Sequence, residues 1–159
     1  MPQDILIRRG EVRDADAIAA FNIAMARETE GKELLPEVIA AGVRGLIGNT
    51  SLGYYLVAEA GDRIVASLLV TTEWSDWRNG VFWWIQSVYV RPEWRRKGIY
   101  SRLYEFVKAA AAADAAVCGF RLYVEKENRG AQKTYYFLGM RETEYLMYEE
   151  LKPGIRYCR

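Results

Sequence analysis

Val88-Tyr89-Val90-Arg91-Pro92-Glu93-Trp94-Arg95-Arg96-Lys97-Gly98-Ile99-Tyr100-Ser101 is the stretch on which the fold turns. It closes Val81–Val90, a nearly unbroken apolar and aromatic run of the kind that fills a central strand covered on both faces. Pro92 stops that strand, and a basic turn with one glycine follows. The stripe Tyr100, Leu103, Tyr104, Val107 then marks a helix that reaches about Ala113 through an alanine-rich segment. A helix N-terminus carries unpaired backbone N–H groups and the positive end of the helix dipole, so this end can hold an anion. Arg95, Arg96 and Lys97 add charge there and Gly98 allows close approach to the backbone, which suits a pyrophosphate. Taken alone, Arg-Arg-Lys would also read as a solvated charge run.

Upstream, Ile5–Ile7 is a short apolar strand, and Asp14 stands where an N-cap belongs, before a helix striped by Ile18, Phe21 and Met25. Pro36 opens a second helix through Val43, Leu46 and Ile47, ending near Gly48-Asn49. Tyr54–Ala60 and Arg63–Thr72 flank Gly61-Asp62 as a hairpin, and the polar segment Glu73–Gly80 turns the chain into the central strand. Downstream, Phe120, Leu122 and Val124 alternate with polar neighbours as a strand. A short helix runs from about Arg129 to Leu138 with Gly139 capping it, and Glu142–Leu151 is expected to be a last strand.

The 159 residues suit one domain, and 51% hydrophobic content is enough for a core without disulfides or metals. With 22 basic and 21 acidic residues no global field calls for nucleic acid or a membrane. The chain has no histidine, which excludes Ser-His-Asp and Cys-His nucleophiles and removes the commonest transition-metal ligand, so no metal is expected. Cys118 and Cys158 lack Cys-x-x-Cys spacing and read as a reduced pair. The opening Met1-Pro2-Gln3-Asp4 leads straight into the first apolar run without a signal-peptide pattern, and no stretch approaches a membrane span. A cytoplasmic location is therefore expected.

Two motifs carry a family resemblance. Val90-x-Pro92 followed by Arg95-x-x-Gly98 resembles the cofactor loop Arg/Gln-x-x-Gly-x-Gly/Ala of the GNAT acetyltransferase superfamily, with Tyr100 in place of the final small residue. Asn128, Ala131, Tyr135 and Gly139 resemble its late motif Asn-x-x-Ala-x-x-x-Tyr-x-x-x-Gly-Phe, with Met140 replacing phenylalanine. The opening Ile7-Arg8-Arg9 and Asp14-Ala15-Asp16-Ala17-Ile18 is similar to the family's start. The resemblance implies a single α/β (α+β) domain over residues 1–159. Its mixed central sheet would have six to seven strands and about four flanking helices, with acetyl-CoA (coenzyme A) in a cleft between two splayed parallel strands.

It also implies site roles. Val88, Tyr89 and Val90 would pair with the pantetheine arm. Arg95, Arg96, Lys97, Gly98, Ile99, Tyr100 and Ser101 would hold the pyrophosphate, with Asn128 contacting the arm or simply capping its helix. Tyr135 matches the family's acid, since a phenol can protonate a departing thiolate, although a core aromatic is the rival reading. Gln86 stands where many relatives carry a basic glutamate and cannot take a proton, leaving water, Glu73 or Asp76 as the base. Glu28, Glu30 and Glu33, with Trp74, Asp76 and Trp77, favour a small cationic amine as acceptor, unless they are only a solvated helix end and core cover. The alternatives are a protein or peptide N-acetyltransferase and a non-catalytic acyl-CoA-binding regulatory module. A homodimer is compatible with the family and the aromatic content.

Overall fold

Strand alternation along Tyr55-Leu56-Val57-Ala58 sends Leu56 and Ala58 to one side of a sheet and Tyr55 and Val57 to the other, and both sides are covered. The structure, a computed structural model, describes residues 4–159; Met1-Pro2-Gln3 of the expected N-terminal reading lies outside the described residues. β1 (Ile5–Arg9), β2 (Gly53–Ala60), β3 (Arg63–Ser75) and β4 (Gly80–Val90) pair antiparallel in chain order. β5 (Val117–Arg121) adds parallel to β4, which requires a crossover, and α3 (Ile99–Ala112) supplies it. α3 lays Ile99, Leu103, Tyr104 and Val107 on the face formed by Leu56, Leu68, Val70, Trp83 and Ile85. On the opposite face α1 (Ala15–Glu30) and α2 (Pro36–Ile47) bring Ala15, Ile18, Ala19 and Val43 against Tyr55 and Val57. α4 (Arg129–Phe137) follows β5.

Three expectations need correction. The sheet has five strands among the described residues, not six or seven, because Glu142–Leu151 joins no strand. Its apolar residues Tyr145, Leu146, Met147 and Tyr148 are consecutive, between Glu144 and Glu149, so they define no single inward face, and all four are exposed. β5 covers Val117–Arg121 rather than Phe120–Val124, since residues 122–124 have already left β4. β3 runs through Glu73 and Trp74 to Ser75, so the polar turn shrinks to residues 76–79.

Asp14 is also not the side-chain cap expected of it. It ends a 3-10 turn, Val12–Asp14, and its carboxylate accepts from Arg8 Nη1 at 2.8 Å, Arg8 Nη2 at 3.0 Å and the Glu11 N–H at 2.7 Å. Arg8 Nε donates in turn to Glu59 Oε2 at 3.1 Å. A charge buried this deeply is tolerated only when fully paired, and here the pairing fastens β1, β2 and the entry to α1 to one another.

Candidate active site

β4 meets β5 only from Val81 to Trp84, while its pairing with β3 continues to Val90. From Ile85 to Val90 the strand therefore has β3 on one side and no strand on the other, which leaves a wedge between the two parallel strands. The pairing with β3 shifts between Ser67 and Leu69, so Ser87 and Val88 together oppose one residue, and Ser87 takes a φ of +50°. This bulge rotates the end of β4 within the wedge. No glycine or proline marks it, so the sequence offered no signal for it.

Below the wedge the turn enters α3 through Arg96 at φ +62° and Gly98 at φ +77°. A Cβ on Gly98 would meet nothing within 4 Å, so glycine is needed there for its conformation, and the space outside it is open. No side chain caps α3 and no acidic residue lies in its first turn. The first bond of the helix runs from Arg102 N–H to Gly98 O at 3.1 Å, leaving the N–H groups of Ile99, Tyr100 and Ser101 without an acceptor among the described residues. The Ile99 side chain is in the core, so this residue offers the turn its backbone alone.

The basic residues divide. Arg95 turns back from the helix: Nε donates to Val90 O and Nη2 to Glu28 Oε2, both at 2.8 Å, with the guanidinium 5.4 Å from the Tyr89 ring centre. With Glu28, Met25 and Val88–Val90 it walls an open hollow of about 270 Å³ between α1 and the end of β4. Arg96 and Lys97 stay exposed at the turn, and Lys97 lies 4.9 Å from the Trp94 ring centre.

α4 presents Tyr135 to this region. Asn128 caps the helix, its side chain accepting from the Ala131 N–H at 3.2 Å, and Gly139 at φ +100° lets Met140 N–H return to Tyr135 O at 3.0 Å. Of the consecutive aromatics, Tyr136 and Phe137 are exposed and Tyr135 is turned inward, its ring centre 5.8 Å from that of Tyr100. Burial pushes the Tyr135 phenol above its ordinary pKa, and the neighbouring Tyr100 phenol acts the other way.

Gln86 pairs with Leu69 and Glu73 with Phe82, which puts Glu73 four residues, about 13 Å, along the sheet from Gln86. The Glu73 carboxylate accepts from Trp84 Nε1 and Arg121 Nη1, both at 2.9 Å. The Trp84 bond, helped by the Arg121 partner, holds its carboxyl below the usual range although burial opposes it. It is committed as an ion-pair acceptor rather than poised as a base. Asp76 accepts from the Trp77 N–H at 2.9 Å in the turn. Trp74 and Trp77, 62% and 85% exposed, line with these carboxylates a second hollow of about 250 Å³ that also holds Arg78 and Arg121.

The acidic acceptor cluster expected around α1 is thus neutralised pair by pair. Glu28 faces Arg95, Glu30 lies 3.5 Å from Lys32, and Glu33 accepts from Arg27 at 2.8 and 2.9 Å. Nor do Glu28 and the tryptophans share a hollow.

The sequence model of the Acetyltransferase (GNAT) family matches residues 17–140. A solved structure described as a possible acetyltransferase from Clostridium difficile 630 is 49% identical, covering 93% of this chain and 97% of its own, with a TM-score of 0.87. The aminoglycoside N-acetyltransferase AAC(6')-Iy in complex with CoA is 13% identical over 96% of this chain and 97% of its own, with a TM-score of 0.76. A "predicted acetyltransferase" of Clostridium acetobutylicum solved with acetyl-CoA is 16% identical over 92% and 96%, also at 0.76. At those identities the last two show the shared fold. No curated protein matches.

Proposed function

This chain belongs to the Acetyltransferase (GNAT) family, and on that premise we propose that it acetylates a small primary amine at the wedge between β4 and β5, with Tyr135 as the acid. It is an acetyl-CoA-dependent N-acetyltransferase. The observation that carries the site is the coincidence of an open strand edge, Ile85–Val90, with three unpaired N–H groups at the start of α3. Donors aimed along a helix dipole suit a pyrophosphate, and an unpaired strand edge suits an amide-bearing arm, so these residues fit coenzyme A. Acetyl-CoA supplies the acetyl group as a thioester.

The chain's own groups divide the work. The N–H groups of Ile99, Tyr100 and Ser101, with Arg96 and Lys97, bind the phosphates, and Val88–Val90 orients the arm. The acceptor nitrogen forms the new C–N bond as the C–S bond breaks. Tyr135 gives a proton to the departing sulfur, and its raised pKa keeps it protonated at neutral pH. Gln86 takes no proton and Glu73 is held by Arg121, which leaves water or Asp76 to take the proton lost from the amine.

The acceptor reading rests on Asp76, an exposed carboxylate with no ion-pair partner among the described residues, beside the exposed faces of Trp74 and Trp77; this hollow lies at the β3–β4 turn, about 20 Å along the sheet from Gln86, so it would hold the remote end of an extended amine whose nucleophilic nitrogen reaches the wedge. Arg78 and Arg121 offset the charge of the two carboxylates in this hollow, which disfavours a polycation there. Calorimetric titration with acetyl-CoA followed by thiol release on small amines, polyamines, aminoglycosides and peptides tests this. Release on a small amine supports it; turnover of peptides alone moves the protein to the peptide-acetylating class, and binding without release on any acceptor makes it a regulatory module. Replacing Arg96 and Lys97 together with alanine is expected to raise the acetyl-CoA Kd about tenfold.

A second copy of the chain is the partner we propose for Tyr145–Tyr148. Among the described residues this apolar run has no strand partner and β5 leaves its outer edge open, so two copies can each complete the other's sheet. Sedimentation at a single-chain mass across micromolar concentrations would reject the dimer. No helix among the described residues is long and apolar enough to cross a membrane, and the two free cysteines support the cytoplasmic reading.

A further inference from the structure

Tyr100 stands where the resemblance expects glycine or alanine, at the second position of α3, within the turn proposed to hold the phosphates. Its bulk does not fill that turn. The ring is directed inward, against the core, with its centre 6.4 Å from Tyr104 in a near-parallel stack and 5.8 Å from Tyr135. Its hydroxyl is shielded from solvent and makes no hydrogen bond of good geometry among the described residues. The ring contact with Tyr135 brings a second phenol beside it. A buried phenol without a partner is an unusual expense for a fold, and such groups concentrate where a second group completes them in the working state.

The two ends of this pair are not equivalent. Tyr100 lies on the first turn of α3, packed against the core, with its hydroxyl shielded from solvent. Tyr135 lies on α4, with its ring against that of Tyr100 at the turn that follows β4. A phenol that accepts one hydrogen bond has its own O–H directed away from that donor, so a donor behind Tyr135 would fix where its proton points.

We propose that Tyr100 is a positioning residue for the acetyl transfer: its buried hydroxyl donates to the Tyr135 oxygen and thereby aims the Tyr135 O–H out of the protein toward the departing sulfur. This rests on the reading of Tyr135 as the acid. The direction of the bond also matches the opposed electrostatic effects on the pair, in which Tyr100 is made harder and Tyr135 slightly easier to ionise by their contact. The residue that departs from the family's phosphate loop would on this view have left the loop's backbone chemistry intact and taken up a task on the far side of the helix.

A double-mutant cycle tests it, using the full chain, acetyl-CoA and the amine that gives the fastest thiol release. Tyr100→Phe keeps the ring and both aromatic contacts, so the fold is expected to melt at or above the wild-type temperature, with an unchanged acetyl-CoA Kd and a kcat about tenfold lower. In a Tyr135→Phe background the same substitution is expected to change kcat less than about twofold, because the group it positions is gone. Tyr100→Phe with wild-type kcat would overturn the proposal, as would an equal tenfold loss in both backgrounds. If Tyr135→Phe itself leaves kcat unchanged, the assignment of the acid falls first, and the two failures are told apart by which single variant is silent.

Discussion

Tyr135→Phe is expected to lower kcat about 100- to 1000-fold while changing the acetyl-CoA Kd less than about twofold. The ring is half-buried against Tyr100, so phenylalanine keeps the packing and loses one proton donor. A positioned general acid contributes about 10²–10⁴-fold, and the expected loss lies within that range. The ground state should be indifferent, since binding is carried by the start of α3 and the edge of β4, on other elements. Because burial holds the phenol protonated, Tyr135 adds no limb to the pH profile between about pH 6 and 9, and the defect should be the same across it. Thiol release at saturating acetyl-CoA, paired with calorimetry, reads both quantities. A large rise in Kd with little change in kcat would make Tyr135 a binding residue and reject its role as the acid.

How much of this was readable beforehand follows from which interactions are local. The Val-x-Pro stop, the basic turn and the α3 stripe lie within one run of residues, and their strand, turn and helix stand as expected. Asn128 and Gly139 are likewise local caps and were recognisable as such. What escaped was decided by residues far apart. Arg95 meets Glu28 across 67 positions, and Glu73 meets Arg121 across 48, so two charges read as free are already paired. The bulge at Ser87 is imposed by the register with β3 and leaves no mark in composition. The last strand failed for a related reason: a tyrosine-rich run has strand propensity, but four consecutive apolar residues cannot say which face points inward.

The same reasoning gives the largest expected effect on stability. Asp14→Ala is expected to lower the free energy of unfolding by about 3–5 kcal/mol, the range for removing one partner of a buried ion pair. Asp14 is 4% exposed at its side chain and Arg8 16%, so the loss would leave the Arg8 guanidinium with one carboxylate, Glu59, and the Arg9 carbonyl at 3.0 Å. Burial alone would raise the Asp14 pKa, but the Arg8 fork, the Glu11 N–H and the nearby charges together outweigh it, and the group sits below the usual aspartate range. A carboxylate depressed in the folded state binds more protons unfolded, so its contribution is complete well above about pH 4 and is lost as the pH falls through the lower folded value. Urea unfolding of both proteins at pH 7 and again below pH 3 should therefore show a wide gap at neutrality that narrows in acid. Asp14→Asn separates charge from shape: it should retain part of the Glu11 contact yet lose most of the pH dependence. A gap of equal size at both pH values would mean that Asp14 stabilises the β1–α1 junction by filling space, and that the pairing with Arg8 contributes little to the fold.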